Sequence, residues 1–284
     1  PGNLQASPIS STRIDLSWQD NSDDESQFRI ERSPDGLSGW QEIGSVPAGT
    51  TSYSNTGLSC ETGYHYRVRA YRSSDGEFSD YSTSASATTY ACQSLSLVPG
   101  WNLITLPLNP LVPFTSETIL QNLQSQGVAC VEIMEWLNGG WNSHEIGLPF
   151  GDFPLALGRG YFVRCNLGGA WRLEGSRLDS GTAVALSPGW NLVGIPHPES
   201  GYQAHTVLDE INNQGATCGE IMRWYNSGWE SYLPGIPIND FDILPYQGYF
   251  VQCSAGGSYT PAGVPSLALP ALSLKGIQHA KQNP

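Results

Sequence analysis

Histidine and carboxylate side chains are where chemistry would first be sought in this 284-residue chain. No histidine stands beside a serine nucleophile elbow or at metal-ligand spacing, so we expect surface roles for His65, His144, His197, His205 and His279. Paired carboxylates could cleave glycosides. Asp152 and Asp240 recur, but each precedes a phenylalanine, which favours a turn or a helix cap. The sequence therefore indicates no catalytic residue and no cofactor, and we expect a protein that is not an enzyme.

One acidic loop has the right ligand type for a metal. Asp20, Asp23, Asp24 and Glu25 lie within six residues, and hard carboxylate oxygens suit calcium. Their spacing matches no EF-hand loop. We expect a solvated turn here and no metal site.

Aromatic residues are the stronger candidates for binding. The chain has nine Trp and thirteen Tyr on a weakly charged background of Gly, Asn and Ser, which suits carbohydrate. Large aromatics also fill the cores of small domains. The candidates for stacking on sugar rings are Trp141, Trp229, Trp171 and Tyr259, with Trp136 and Trp224 worth testing beside them. Trp141 and Trp229 follow glycine-containing turns, so they are the least certain to lie in a core.

Overall charge excludes several partners. Charged residues make up 14% of the chain, well below the roughly 25% of an ordinary soluble domain. The formal net charge of -13 argues against nucleic acid and gives no basic patch for an anionic membrane. No apolar run is long enough for membrane insertion.

Six cysteines fall two to a domain: Cys60 and Cys92, Cys130 and Cys165, Cys218 and Cys253. The last two pairs have the same spacing, and the absence of Cys-x-x-Cys gives little support to zinc. Three disulfides within domains are expected, each stabilising by about 3 to 4 kcal/mol. The alternative is six reduced buried thiols. Disulfides imply an oxidising compartment, hence a secreted, extracellular or cell-surface protein.

A tandem repeat organises the second and third parts of the chain. Gly100-Trp101-Asn102-Leu103 returns at Gly189-Trp190-Asn191-Leu192, and the copies then stay in step, with Cys130 answering Cys218 at an offset of 88 residues. Each copy predicts a strand, a short helix, a hairpin and further strands, with the cysteines joining helix exit to strand end. The opening resembles modules of repeat-bearing bacterial cell-surface and secreted proteins.

Residues before the repeat predict a β-sandwich. Ile14, Leu16 and Trp18 alternate on one strand, and Phe28 and Ile30 on the next. These strands, with Leu58-x-x-x-Thr62-x-Tyr64, resemble a fibronectin type III domain. The resemblance implies that the Tyr64 hydroxyl bonds to backbone near Leu58. It also puts Cys60, which stands where the family commonly has proline, at the same pole as Cys92.

The predicted fold is therefore mainly β, with a fibronectin type III sandwich followed by two homologous β-rich domains that each have one helix. The predicted boundaries are 1–91, 95–178, 183–263 and an extended tail, 264–284. The tail alternates apolar residues, Leu267, Leu269, Leu272, Leu274 and Ile277, which indicates an extended segment that either folds back on the second repeat or adds as an inter-subunit strand to a neighbour.

Two functions follow from these features. The leading hypothesis is a non-enzymatic structural protein of three rigid beads, a cell-surface or extracellular filament subunit that binds copies of itself head to tail. The alternative is a set of carbohydrate-binding accessory domains of a larger secreted hydrolase or adhesin, with polysaccharide as the partner.

Overall fold

The structure is a computed structural model that describes residues 1–179, 181–196, 202–236 and 239–261. Its mainly β architecture confirms the predicted fold class. The N-terminal sandwich contains β1 (Gly2–Ser10), β2 (Arg13–Gln19), β3 (Gln27–Ser33), β4 (Gln41–Pro47), β5 (Ser52–Thr56), β6 (Gly63–Arg72), β7 (Glu77–Phe78) and β8 (Ala85–Thr88). One sheet has the order β1-β2-β5, and the other has β4-β3-β6-β7 with β8 also paired to β6.

The sandwich core has the alternation that the sequence predicts. Ile14, Leu16 and Trp18 from β2 pack against Phe28 and Ile30 from β3, and all five are buried. At the entry to β6, the Ser59 N–H donates to the Tyr64 hydroxyl oxygen at 3.0 Å. The tyrosine corner implied by the resemblance is therefore present.

The first repeat, which we call module 1, contains β9 (Ala91–Leu97), β10 (Gly100–Thr105), β11 (Leu108–Pro110), α1 (Ser116–Ser125), β12 (Ala129–Leu137), β13 (Gly140–Glu145), β14 (Gly160–Leu167) and β15 (Gly169–Arg177). A large sheet has the order β10-β14-β12-β13, and a small sheet has the order β11-β15-β9. Because β9 pairs with β15, the sheet of module 1 begins at Ala91, ahead of the expected boundary at residue 95.

The second repeat, module 2, contains β16 (Val184–Leu186), β17 (Gly189–Gly194), α2 (Ala204–Asn213), β18 (Thr217–Tyr225), β19 (Gly228–Tyr232), β20 (Gly248–Ala255) and β21 (Gly257–Tyr259). Its large sheet has the order β17-β20-β18-β19, strand for strand that of module 1, and β16 pairs with β21. Neither helix has the length and apolar character needed to cross a bilayer.

Each helix covers one face of its large sheet. In α1 the apolar positions Ile119, Leu120 and Leu123 recur at helical spacing and are fully buried, against Tyr161 and Val163 of β14. The helix begins at Ser116, directly after the N-cap residue Thr115, whose side chain forms a capping box with Thr118. Burial raises the pKa of Tyr161 to about 12.

The opposite faces of the two large sheets pack against each other. Leu103 and Phe162 of module 1 form one buried cluster with Leu192 and Phe250 of module 2. Backbone bonds join the modules in a reciprocal way, because the Thr105 N–H donates to the Tyr246 carbonyl and the Gly194 N–H to the Gly158 carbonyl, both at 3.0 Å. The order of layers is helix, sheet, sheet, helix. The expectation of separate beads is wrong for the repeats, because each sheet has a second apolar face that only the other copy covers.

All three predicted disulfides are present, Cys60–Cys92, Cys130–Cys165 and Cys218–Cys253. The last two join neighbouring strands inside their own module. The first requires a correction. Cys92 lies on β9, a strand of module 1, so its bond to Cys60 links the sandwich to module 1 instead of closing a loop within one domain.

Polar contacts reinforce that junction. The Ser11 hydroxyl donates to Glu174 and accepts from Arg172, both at 2.7 Å. Arg177 pairs with Glu61 of the sandwich. Ser11 is fully buried by these contacts. The disulfide, the Arg177–Glu61 ion pair and the hydrogen bonds of Ser11 together fix the sandwich to module 1.

Candidate binding face

Two hairpin turns position the tryptophans that the sequence singled out. Asn138 and Gly139 have φ values of 53° and 78°, and Asn226 and Ser227 have 49° and 61°. Two successive positive φ values define the tight turn that matches the twist of paired strands. Each turn places a tryptophan directly opposite another across the strand pair, Trp141 beside Trp136 and Trp229 beside Trp224. The two pairs have the same geometry, with ring centroids 5.1 Å apart and planes at 71°.

The tryptophans meet at the boundary between the modules. Trp141 lies 5.7 Å from Phe162 of its own module and 5.9 Å from Phe250 of module 2, between ring centroids. Trp229 lies 5.5 Å from Phe250 of its own module and 5.8 Å from Phe162 of module 1. All four contacts are edge-to-face, a favoured arrangement of aromatic pairs. Each indole is therefore held by both modules.

These two indoles also remain open to solvent. Trp141 and Trp229 each keep 44% of their surface exposed, although three rings contact each of them. A side chain that its neighbours already hold loses little conformational entropy when a ligand stacks on it. The face around Trp141 and Trp229, which we call the tryptophan face, is suited to an apolar ring surface such as one side of a sugar.

Two of the residues predicted to stack on sugar rings are not part of the tryptophan face. Trp171 and Tyr259 are fully buried in the cores of modules 1 and 2. The indole N–H of Trp171 donates to Asn122 at 2.8 Å, and the Tyr259 hydroxyl bonds to Glu210 at 2.8 Å. Both polar atoms thus have partners inside the module, and neither ring has a surface left for a ligand.

Sequence reasoning missed the residues that support the tryptophan face. Phe162 and Phe250 pack against the indoles of Trp141 and Trp229. The indole N–H of Trp136 donates to the backbone carbonyl of Trp190 at 2.9 Å. The alternation of residues along the strand does indicate the phenylalanines. In Gly160-Tyr161-Phe162-Val163, Tyr161 and Val163 face the helix, so a large aromatic in the opposite phase indicates a second buried face.

The recurring aspartates cap their helices, as predicted. Asp152 accepts the Glu117 N–H at 2.9 Å, and Asp240 accepts the His205 N–H at 3.0 Å. A carboxylate at a helix N-terminus satisfies a free backbone donor and complements the helix dipole. These aspartates are occupied in structural bonds.

His144 does not have the surface role that we expected. It is 1% exposed on β13, where its Nε2 lies 2.7 Å from Glu117 and its Nδ1 lies 3.1 Å from the Phe150 carbonyl. The hydrogen bond from His144 holds the pKa of Glu117 below its usual 4.5, with help from the Gly147 N–H. The repeat does not predict this burial, because the matching position in module 2 is Tyr232.

The acidic loop of the sandwich has ordinary partners. Asp20 accepts the Ser22 N–H at 3.0 Å, as in a turn, and Asp24 pairs with Arg72. Within residues 1–179, 181–196, 202–236 and 239–261, no group of three His, Cys, Asp or Glu side chains could hold a metal ion. The predicted tail contacts, Leu267, Leu269, Leu272, Leu274 and Ile277, lie outside the described residues, as do His197 and His279.

Comparison with known proteins identifies the first domain. Residues 1–85 match the family model "Fibronectin type III domain". The sandwich is a fibronectin type III domain. An alpha-amylase of Niallia circulans is 40% identical over 91 residues, which make up 32% of this chain and 6% of the amylase. The match covers a segment of fibronectin type III character, and such domains are generally non-catalytic accessory modules.

Solved structures overlap with about a third of the chain. An Fn3-like protein from Clostridium thermocellum is 23% identical with a TM-score of 0.28, covering 31% of this chain and 90% of that one. A beta-1,2-glucanase from Parabacteroides distasonis is 26% identical with a TM-score of 0.27, covering 31% of this chain and 13% of that one. The three disulfides point to an extracellular protein. The resemblance of modules 1 and 2 to bacterial cell-surface modules stays a prediction.

Proposed function

We propose that this chain is a non-enzymatic accessory unit of a secreted or cell-surface protein, and that it binds polysaccharide through Trp141 and Trp229. The fibronectin type III domain is a rigidly attached neighbour of the module pair, held by the Cys60–Cys92 bond. The recurring Asp152 and Asp240 and the buried His144 are engaged in structural hydrogen bonds. The proposal therefore assigns binding, not bond cleavage, to the modules.

One observation carries the proposal. Two indoles from homologous positions are equally exposed, at 44%, and are fixed by the same two phenylalanines. A protein gains nothing in core packing from exposed indole surface, whereas C–H faces of sugar rings pack well on it. The similarity of the first domain to a segment of an alpha-amylase agrees with a polysaccharide-bearing environment.

Co-sedimentation with insoluble polysaccharide tests this function. Wild-type protein is mixed with granular starch, microcrystalline cellulose and insoluble beta-glucan, and the bound fraction is measured. We expect binding to at least one polymer. The double variant Trp141→Ala, Trp229→Ala should bind at least about a hundredfold more weakly, since each ring contributes on the order of 1.4 kcal/mol and each 1.4 kcal/mol is tenfold.

The matched control is Tyr225→Ala. Tyr225 is 43% exposed, so an aromatic of nearly equal exposure is lost, but as the neighbour of Trp224 on β18 it points to the opposite face of the sheet. It should bind like the wild type. Retained binding by the double variant, or no binding of the wild type to any polymer, would overturn the proposal. Thermal unfolding of each variant shows whether the modules are still paired.

Self-assembly through the tail remains a separate prediction. Its contact residues, Leu267 to Ile277, lie outside the described residues, so no contact supports a head-to-tail filament. The tryptophan face is independent of that hypothesis, because all of its members are in modules 1 and 2.

A further inference from the structure

The tryptophan face spans the boundary between two modules, which raises the question of whether it is one site or two. Trp141 lies 5.7 Å and Trp229 lies 5.8 Å from the ring centroid of Phe162. The two indole centroids are therefore separated by no more than the sum of these distances, a span that a few consecutive sugar rings cover. They are close enough for one strand to contact both.

Neither indole is held by its own module alone. Phe250 of module 2 contacts both Trp136 and Trp141 of module 1, at 5.9 Å in each case. The reciprocal contacts join Phe162 of module 1 to Trp224 and Trp229 of module 2, at 5.8 Å each. Separating the modules would remove one of the three ring contacts of Trp141 and one of the three of Trp229. The binding surface is thus a product of the paired modules.

The charges of the modules and of the whole chain restrict the chemistry of the ligand. Three arginines of the modules are each paired with a glutamate: Arg159 with Glu135, Arg164 with Glu132 and Arg223 with Glu230. An anionic polymer would have to compete with these carboxylates and would approach a chain with a formal net charge of -13. An uncharged polymer meets no such penalty.

We propose that modules 1 and 2 form a single composite site, in which one strand of an uncharged polysaccharide crosses from Trp141 to Trp229. This inference rests on the proposed function and specifies its stoichiometry and ligand class. The approximate two-fold relation between the modules places equivalent indoles at both ends of the site. Affinity therefore comes from simultaneous contact, in which the second indole binds a strand that the first already holds.

Calorimetric titration of the full chain with soluble glucose oligosaccharides tests the inference. The probes are the α-1,4- and β-1,4-linked disaccharides and hexasaccharides. We expect one hexasaccharide per chain and binding at least tenfold weaker for the disaccharide of the same linkage. Trp141→Ala and Trp229→Ala should each weaken hexasaccharide binding by a similar factor of ten or more, and Tyr225→Ala should leave it unchanged. Raising the salt concentration from 50 to 500 mM should change the affinity by less than twofold.

The possible failures are distinguishable. Two hexasaccharides per chain, or single variants that keep half of the sites at full affinity, would show two independent sites and overturn only the composite site. A tenfold loss of affinity in high salt would overturn the uncharged class of ligand. If neither hexasaccharide binds and the insoluble polymers are not bound either, the proposed function itself fails. Thermal unfolding of the single variants separates lost contact from separated modules, and if a variant is unpaired, Trp141→Phe and Trp229→Phe replace it.

Discussion

Modules 1 and 2 share one fold, yet they fill the space beneath their helices with different partners. In module 1 the buried indole of Trp171 donates to the neutral amide of Asn122. In module 2 the same two positions are Tyr259 and Glu210, and the phenol bonds to the carboxylate. Both residues of the pair differ between the modules, yet in each module they are hydrogen-bonded to each other. A buried donor without a partner costs about 1 to 3 kcal/mol, which explains why the two positions differ together.

The first turn of the helix differs in a similar way. In module 1, Glu117 reaches the buried imidazole of His144 on β13. In module 2, the histidine is on the helix instead, where His205 contacts the capping Asp240 at 2.6 Å and its side chain is partly exposed. Module 1 therefore ties its helix to the hairpin strand with a buried polar bond, whereas the histidine of module 2 only reinforces the cap.

Where the modules meet, in contrast, their residues are nearly the same. Leu103 of module 1 corresponds to Leu192 of module 2, and Phe162 corresponds to Phe250. A contact between two copies related by an approximate two-fold axis presents the same patch on both sides, so a change in one copy must suit the other. The two modules therefore differ most in the residues of their interiors and least in the residues at their shared boundary.

Breaking the core of one module should have the largest effect. Trp171→Ala removes a fully buried indole, and we expect it to lower the free energy of unfolding by about 3 to 5 kcal/mol. Tyr259→Ala is the equivalent change in module 2 and should cost a similar amount. Urea denaturation followed by circular dichroism measures both. A loss below about 1 kcal/mol for either variant would mean that these rings do not support their modules.

The sequence predicted the elements better than it predicted their partners. Alternation in Ile14, Leu16 and Trp18 located the sandwich strands, and the repeat located both helices and hairpins. It could not show that the two copies pack face to face, because Phe162 and Phe250 indicate a second buried face but not which part of the chain covers it. The domain that Cys92 joins was missed for a related reason, since the partner of β9 is β15, which begins at Gly169.

The candidate site was predicted only in part, for the same physical reason. Trp141 and Trp229 stand out beside their turns, and the structure leaves both exposed. Trp171 and Tyr259 carry equally large rings, but nothing local in the sequence distinguishes a ring beneath a helix from one at an open boundary. Burial depends on the packing of distant segments, which periodicity alone does not specify.

A smaller loss of stability is expected when a side chain is added at the boundary between the modules. A Cβ added at Gly160 would lie 3.0 Å from the Leu192 side chain and 3.1 Å from the Val193 carbonyl of the other module. Overpacking of this kind costs about 1 to 3 kcal/mol, so Gly160→Ala should loosen the pairing. We expect lower stability and red-shifted tryptophan emission as the indoles gain solvent.

The matched control for this boundary is Gly140→Ala. At Gly140 an added Cβ would meet only the Leu137 carbonyl, at 3.9 Å, and its φ is not positive. This variant should resemble the wild type in stability and emission. Equal behaviour of Gly160→Ala and Gly140→Ala would show that the close approach of the modules does not limit their pairing.

The smallest expected effect comes from breaking the hydrogen bond between Glu117 and His144 at the start of the helix in module 1. His144 and the Gly147 N–H hold the folded pKa of Glu117 below 4.5, so the ionised carboxylate stabilises the fold above that pH. Its contribution is lost as the pH falls from 4.5 through the folded pKa. Glu117→Gln should therefore flatten the acid side of the plot of stability against pH, and His144→Gln should do the same, because it removes the main cause of the shift. Urea midpoints between pH 7 and 3 measure this slope. A slope as steep as that of the wild type in both variants would mean that acid sensitivity arises elsewhere, and that the buried histidine of module 1 serves packing alone.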